Sequence, residues 1–98
     1  MWMAPEVFMK KPYSFKADIY SYGVVIWEMS SIKEPYEGMS LWEVSTQVTE
    51  GIRNEMPKDA PKEWNLIYDK CTTKNPEDRI SAQELVLFFT NLDKQGIF

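Results

Sequence analysis

The chain has 98 residues and a formal net charge of −4, from 11 Lys and Arg against 15 Asp and Glu, a length that suits one small domain and an acidic balance unlike the basic face of a nucleic-acid binder. Its 44% hydrophobic content supports a modest core. The absence of histidine excludes a Ser-His-Asp triad, a Cys-His pair and a His-containing zinc site, and the single cysteine, Cys71, excludes an internal disulfide and suits a reducing compartment.

Helix signals dominate from one end to the other. Pro5 opens a short helical turn, Pro5–Met9, because proline at the first helical position lacks an N–H that would be unpaired there anyway. Lys10–Lys16 reads as a polar loop containing Pro12. Asp18 is a candidate N-cap for a helix over Ile19–Ser31. The apolar residues of that helix cover most of its circumference, as in a central helix enclosed on all faces. Tyr22, Ile26 and Trp27 are expected in the core. Gly23 costs about 1 kcal/mol against alanine in a helix interior, so a close backbone approach is its expected reason.

Lys33–Met39 is a loop with Pro35 and Gly38. Ser40 and Glu43 make a capping box for a helix over Ser40–Glu50, with Leu41, Val44 and Val48 on one face and Gly51 as its stop. Ile52–Ala60 is irregular. Pro61 starts a further helix with Trp64, Ile67, Tyr68 and Cys71 at i, i+3, i+4 and i+7, and Asn75-Pro76 breaks it. Ser81 and Glu84 form a second capping box, followed by Leu85, Phe88, Phe89 and Leu92 at the same period. The expected fold class is all-α: one short turn and four helices.

The longest uninterrupted apolar run, counting glycine, is Tyr22–Trp27, far short of the roughly 20 residues of a spanning helix. No basic region followed by an apolar stretch opens the chain. The expectation is an intracellular, cytoplasmic protein without a membrane or nucleic-acid partner.

Three motifs carry more information. They are Trp2-Met3-Ala4-Pro5-Glu6-Val7, the run Lys16-Ala17-Asp18-Ile19-Tyr20-Ser21-Tyr22-Gly23 continuing to Trp27-Glu28-Met29, and Cys71 to Ser81 with Asn75-Pro76 and Arg79. In this order and spacing the chain resembles the C-terminal part of the larger lobe of a eukaryotic protein kinase domain, from Trp2 to about Leu92. Ala4-Pro5-Glu6 matches the triplet that closes the activation segment. The second motif looks most like the tyrosine-kinase-like group of serine/threonine kinases. Thr72, where tyrosine kinases usually carry tryptophan, and Ile80, where both groups usually carry proline, depart from the pattern.

The resemblance implies roles residue by residue. Glu6 is expected to pair with Arg79, one of two arginines, whose planar fork suits a bidentate carboxylate contact. Asp18 matches an aspartate that holds the catalytic loop in shape, and Gly23 belongs to the central helix. Trp2 and Met3 match the end of the loop that receives the substrate peptide. Leu41 and Trp42 sit on the helix that often docks substrates and regulators, although core packing explains at least one of them equally well. Cys71 is expected to pack without an activated thiolate.

The phosphate chemistry of a kinase rests on a glycine-rich loop, a lysine–glutamate pair, a catalytic-loop aspartate and a magnesium-holding Asp-Phe-Gly. Residues 1–98 carry no G-x-G-x-x-G, His-Arg-Asp or Asp-Phe-Gly. No catalytic, cofactor-binding or metal-ligating residue is therefore expected here; ATP and magnesium would bind upstream residues of a full domain. The expected partners are that upstream part, protein substrates or regulators, and further copies of the chain. Three readings stand at this point: a kinase-domain fragment, a noncatalytic helical binding module, and the tail of a pseudokinase.

Overall fold

In the computed structural model of the protein, residues 2–33 and 35–94 are described. Glu34, inside the loop expected at Lys33–Met39, lies outside them. Their elements are α1 (Pro5–Phe8), α2 (Lys16–Ser31), α3 (Leu41–Thr49), α4 (Lys62–Cys71), a 3₁₀ turn (Pro76–Asp78) and α5 (Ala82–Lys94). No strand occurs among the described residues.

Both capping boxes form. The Ser40 hydroxyl accepts from the Glu43 N–H at 3.2 Å while the Glu43 carboxylate accepts from the Ser40 N–H. Ser81 and Glu84 repeat the exchange at 3.1 and 3.3 Å. Beyond α3, the Gly51 N–H donates to the Val48 carbonyl and the Ile52 N–H to that of Gln47. This closure needs a left-handed residue, and Gly51 supplies it at φ 85°.

The start of α2 differs from expectation. It begins at Lys16, and Asp18 is an exposed first-turn residue rather than the N-cap. Phe15 is already helical, the Ala17 and Asp18 N–H groups donate to the Ser14 and Phe15 carbonyls, and the Ser14 hydroxyl accepts from the Lys16 N–H. Asp18 remains near the positive end of the helix dipole, where an acid is favourable.

Two hydrophobic clusters meet on α2. Ala17, Tyr20 and Val24 pack with Ala4, Tyr36, Val44 and Val48, joining α2 to α1 and α3. Ile19 and Ile26 pack with Ile67 and Cys71, joining it to α4, with Leu85, Phe88 and Phe89 of α5 against them. The third face stays open: Tyr22, Val25 and Met29 are 40%, 36% and 58% exposed. Tyr22 is thus not the core residue its motif implied, whereas Ile26 and Trp27 are buried, and the Trp27 indole N–H donates to the Glu55 carbonyl. The Cα extents of 42 × 29 × 14 Å explain the open face. A helix with its side chains is about 10–12 Å across, so the short dimension leaves no room for a layer on every side of α2.

Gly23 stands where α2 presses on α4. A Cβ there would lie 2.7 Å from both the Cys71 Cβ and the Thr72 Cγ2. The Cys71 Cβ is fixed by its backbone, and the Thr72 methyl is restrained by the hydrogen bonds that the Thr72 hydroxyl makes with the Tyr68 carbonyl and Arg53. Cys71 is fully buried, and burial pushes its thiol up to about 12, so the thiolate needed for reactivity does not form near neutral pH.

Gly23→Ala is therefore expected to destabilise the chain although alanine is the better helix former. Overpacking typically costs about 1–3 kcal/mol against about 1 kcal/mol gained in propensity. Urea denaturation should show a lower midpoint for the variant, and an unchanged or raised midpoint would contradict the close approach.

Candidate functional site

Glu6 and Arg79 are 73 positions apart and meet in the interior. Glu6 lies on α1, at the positive end of its short dipole, and Arg79 follows the 3₁₀ turn that Asn75 caps by accepting from the Glu77 N–H. The guanidinium grips the carboxylate with two parallel bonds, Nη1 to Oε2 at 2.7 Å and Nη2 to Oε1 at 2.8 Å. The two residues are 6% and 3% exposed.

Arg79 places its remaining donors on backbone carbonyls. Nη1 also donates to Lys16 at 2.9 Å, Nη2 to Lys74 at 3.1 Å and Nε to Thr73 at 2.7 Å. Its planar face lies 4.9 Å from the centre of the Tyr20 ring, a cation–π arrangement. All five guanidinium donors are satisfied, so the buried charge is compensated in both charge and hydrogen bonding. Burial alone would raise the Glu6 carboxyl, but the Arg79 hydrogen bonds, the Glu6 backbone N–H and the guanidinium charge outweigh it and hold the carboxyl below its ordinary value near 4.5.

This anchor joins the two motifs that sequence places at opposite ends of the chain. Ala4 and Pro5 are buried beside Glu6, and the Ala4 carbonyl accepts from the Val7 N–H. Sequence reasoning identified the pair but not its surroundings. The carbonyls of Lys16, Thr73 and Lys74 have no side-chain signature, and Tyr20 reads as plain core.

A second feature lies between α1 and α3. Met3, Val7 and Phe8 face Leu41, Trp42 and Ser45 across an apolar groove with Lys10 at its edge. Leu41 and Trp42 are 63% and 79% exposed, so neither is a core residue; Val44 and Val48 are the buried face of α3. Of the four expected docking residues, Met3, Leu41 and Trp42 come together here. Trp2 is exposed and not part of that lining, and its carbonyl accepts from the Ser21 hydroxyl at 2.7 Å.

Among the described residues, no group of three or more His, Cys, Asp or Glu side chains could hold a metal ion. The exposed Asp18 faces no partner acid that would make such a cluster. Also among the described residues, no helix is long and apolar enough to cross a membrane.

Arg79→Ala should strand the Glu6 carboxylate, a change that typically costs about 3–5 kcal/mol from a domain stability of about 5–15 kcal/mol. Arg79→Lys should recover only part of this, since a point charge cannot reproduce the fork. Because the folded Glu6 pKa lies below the unfolded one, its contribution is complete above about pH 4.5 and is lost as pH falls through the lowered value. Thermal melts over acid pH should therefore fall more steeply for the natural chain than for Glu6→Gln. A melting point unaffected by Arg79→Ala would contradict the anchor.

Comparison with known proteins places this geometry. The family model described as protein tyrosine and serine/threonine kinase matches residues 1–89. Two probable LIM domain-containing serine/threonine-protein kinases of Dictyostelium discoideum are each 36% identical over 84 residues, covering 86% of this chain and 9% and 13% of those proteins. Mitogen-activated protein kinase kinase kinase 7 of Homo sapiens is 34% identical over 93 residues, 93% of this chain and 15% of that protein. The chain thus spans well under a fifth of the length of these curated relatives. The chain belongs to the protein tyrosine and serine/threonine kinase family, and its helices are those of the C-terminal helical part of that fold.

Proposed function

We propose that residues 1–98 form the scaffold and substrate-docking part of a serine/threonine kinase domain of the tyrosine-kinase-like group, which as a whole transfers the γ-phosphate of ATP to protein hydroxyls. The observation that carries this reading is the bidentate Glu6–Arg79 anchor, which ties the Ala4-Pro5-Glu6 triplet to the last motif of the chain. The relatives named as serine/threonine-protein kinases support the substrate hydroxyl. The run Lys16 to Gly23 resembles the tyrosine-kinase-like group. ATP and magnesium bind residues outside 1–98, and the groove of Met3, Leu41 and Trp42 receives protein substrates or regulators. The proposed location is the cytoplasm.

Two expectations test this. Calorimetry with Mg-ATP should give no binding to residues 1–98, while the same residues joined to the adjoining segment of their gene should phosphorylate serine and threonine in a protein substrate. Stoichiometric micromolar binding to residues 1–98, or phosphorylation confined to tyrosine, would overturn the assignment.

The open face of α2 bears on the partner. Covering apolar surface is favourable by about 25 cal/mol per Å², so Tyr22, Val25 and Met29 favour the rest of the domain or, without it, a second copy. Residues 1–98 alone are expected to elute ahead of a monomer in size-exclusion chromatography and to bind a hydrophobic dye. A sharp monomer peak without dye binding would instead favour a self-sufficient binding module.

A further inference from the structure

Lys16 opens the second motif without a role assigned to it there, yet it makes two contacts with one residue. Its ammonium donates to the Arg79 carbonyl, and its own carbonyl accepts from Arg79 Nη1 at 2.9 Å. The Arg79 N–H is meanwhile held by the Pro76 carbonyl, and the following Ile80 N–H by that of Lys70. Lys16 is thus the residue that fixes Arg79 from both its main chain and its side chain. Its ammonium lies 5.8 Å from the Phe15 ring centre and is one of the charges that lower the exposed Glu84 carboxyl, behind that group's hydrogen bonds to Ser81.

A planar fork must be held in register to meet a carboxylate with two bonds. If the Arg79 backbone shifted, Nη1 and Nη2 could not keep both Glu6 oxygens at 2.7 and 2.8 Å together with three carbonyls. The first turn of α2 supplies the clamp that prevents this. We propose that Lys16 is a positioning residue: by clamping Arg79 it sets the place of Glu6, and through α1 the place of Met3 at the groove and of the preceding Trp2. The role of those residues in receiving substrate rests on the function proposed above. The clamp itself can be measured without phosphoryl transfer, so failure of one leaves the other standing.

A double-mutant cycle on the full 98-residue chain tests it, using urea denaturation of the natural chain, Lys16→Met, Glu6→Gln and the double variant. Lys16→Met should lower the folding equilibrium constant at least tenfold more in the natural background than in Glu6→Gln. Lys16→Arg, which keeps a charged donor of similar reach, should restore most of the loss. An equal loss in both backgrounds would make Lys16 an independent packing residue and overturn the proposal. So would a Lys16→Arg variant as damaged as Lys16→Met. Should Lys16→Met be unfolded in buffer, all variants are measured in trimethylamine N-oxide, which favours compact states without altering the comparison.

Discussion

A guanidinium buried at 3% exposure is stable only when every one of its polar hydrogens has a partner. Arg79 meets that requirement by drawing on four residues in three places: the Glu6 carboxylate in α1, the Lys16 carbonyl at the start of α2, and the Thr73 and Lys74 carbonyls after α4. Because the acceptors lie far apart in sequence, satisfying one charge fixes the mutual placement of three helices. Tyr20 closes the arrangement from the ring side, and its pKa is raised, mainly by burial. The anchor thus organises much of the structure around a polar centre.

The hydrophobic clusters depend on that placement. α2 serves both of them, with Ala17, Tyr20 and Val24 on one side and Ile19 and Ile26 on another. Gly23 lets α4 come within one methyl group's width, which brings Cys71 and Thr72 into the interior. Thr72, one of the departures from the tyrosine-kinase pattern, is 1% exposed and polar without being unsatisfied. Its hydroxyl donates to the Tyr68 carbonyl and accepts from Arg53 Nη1, both at 2.7 Å. Arg53 in turn pairs with Asp69 at 3.1 Å and lies over the Tyr68 ring. The segment between α3 and α4 is held by these contacts together with the bonds to the Asn54 and Glu55 carbonyls from Tyr68 and Trp27.

The surfaces the chain offers follow the same division. The anchored triplet is buried, while the groove between α1 and α3 and the open face of α2 present apolar surface. On the function proposed above, such surfaces suit a part of a kinase domain that positions a substrate, the phosphoryl chemistry resting on other elements of the domain.

Local signals in the sequence determined the helices, because capping boxes, proline starts and apolar periods act within a few residues. Ser40 with Glu43, Ser81 with Glu84, and Gly51 after α3 could be read directly for that reason. The motif resemblance determined the Glu6–Arg79 pair and the family. Tertiary structure decided what the first turn of α2 meets, since Lys16 bonds to Arg79, 63 positions away, through both its ammonium and its carbonyl. It decided as well that Leu41 and Tyr22 face outward, although their helical spacing matches that of core residues. Periodicity records which residues share a face of a helix; whether another element covers that face depends on layers that no local pattern encodes.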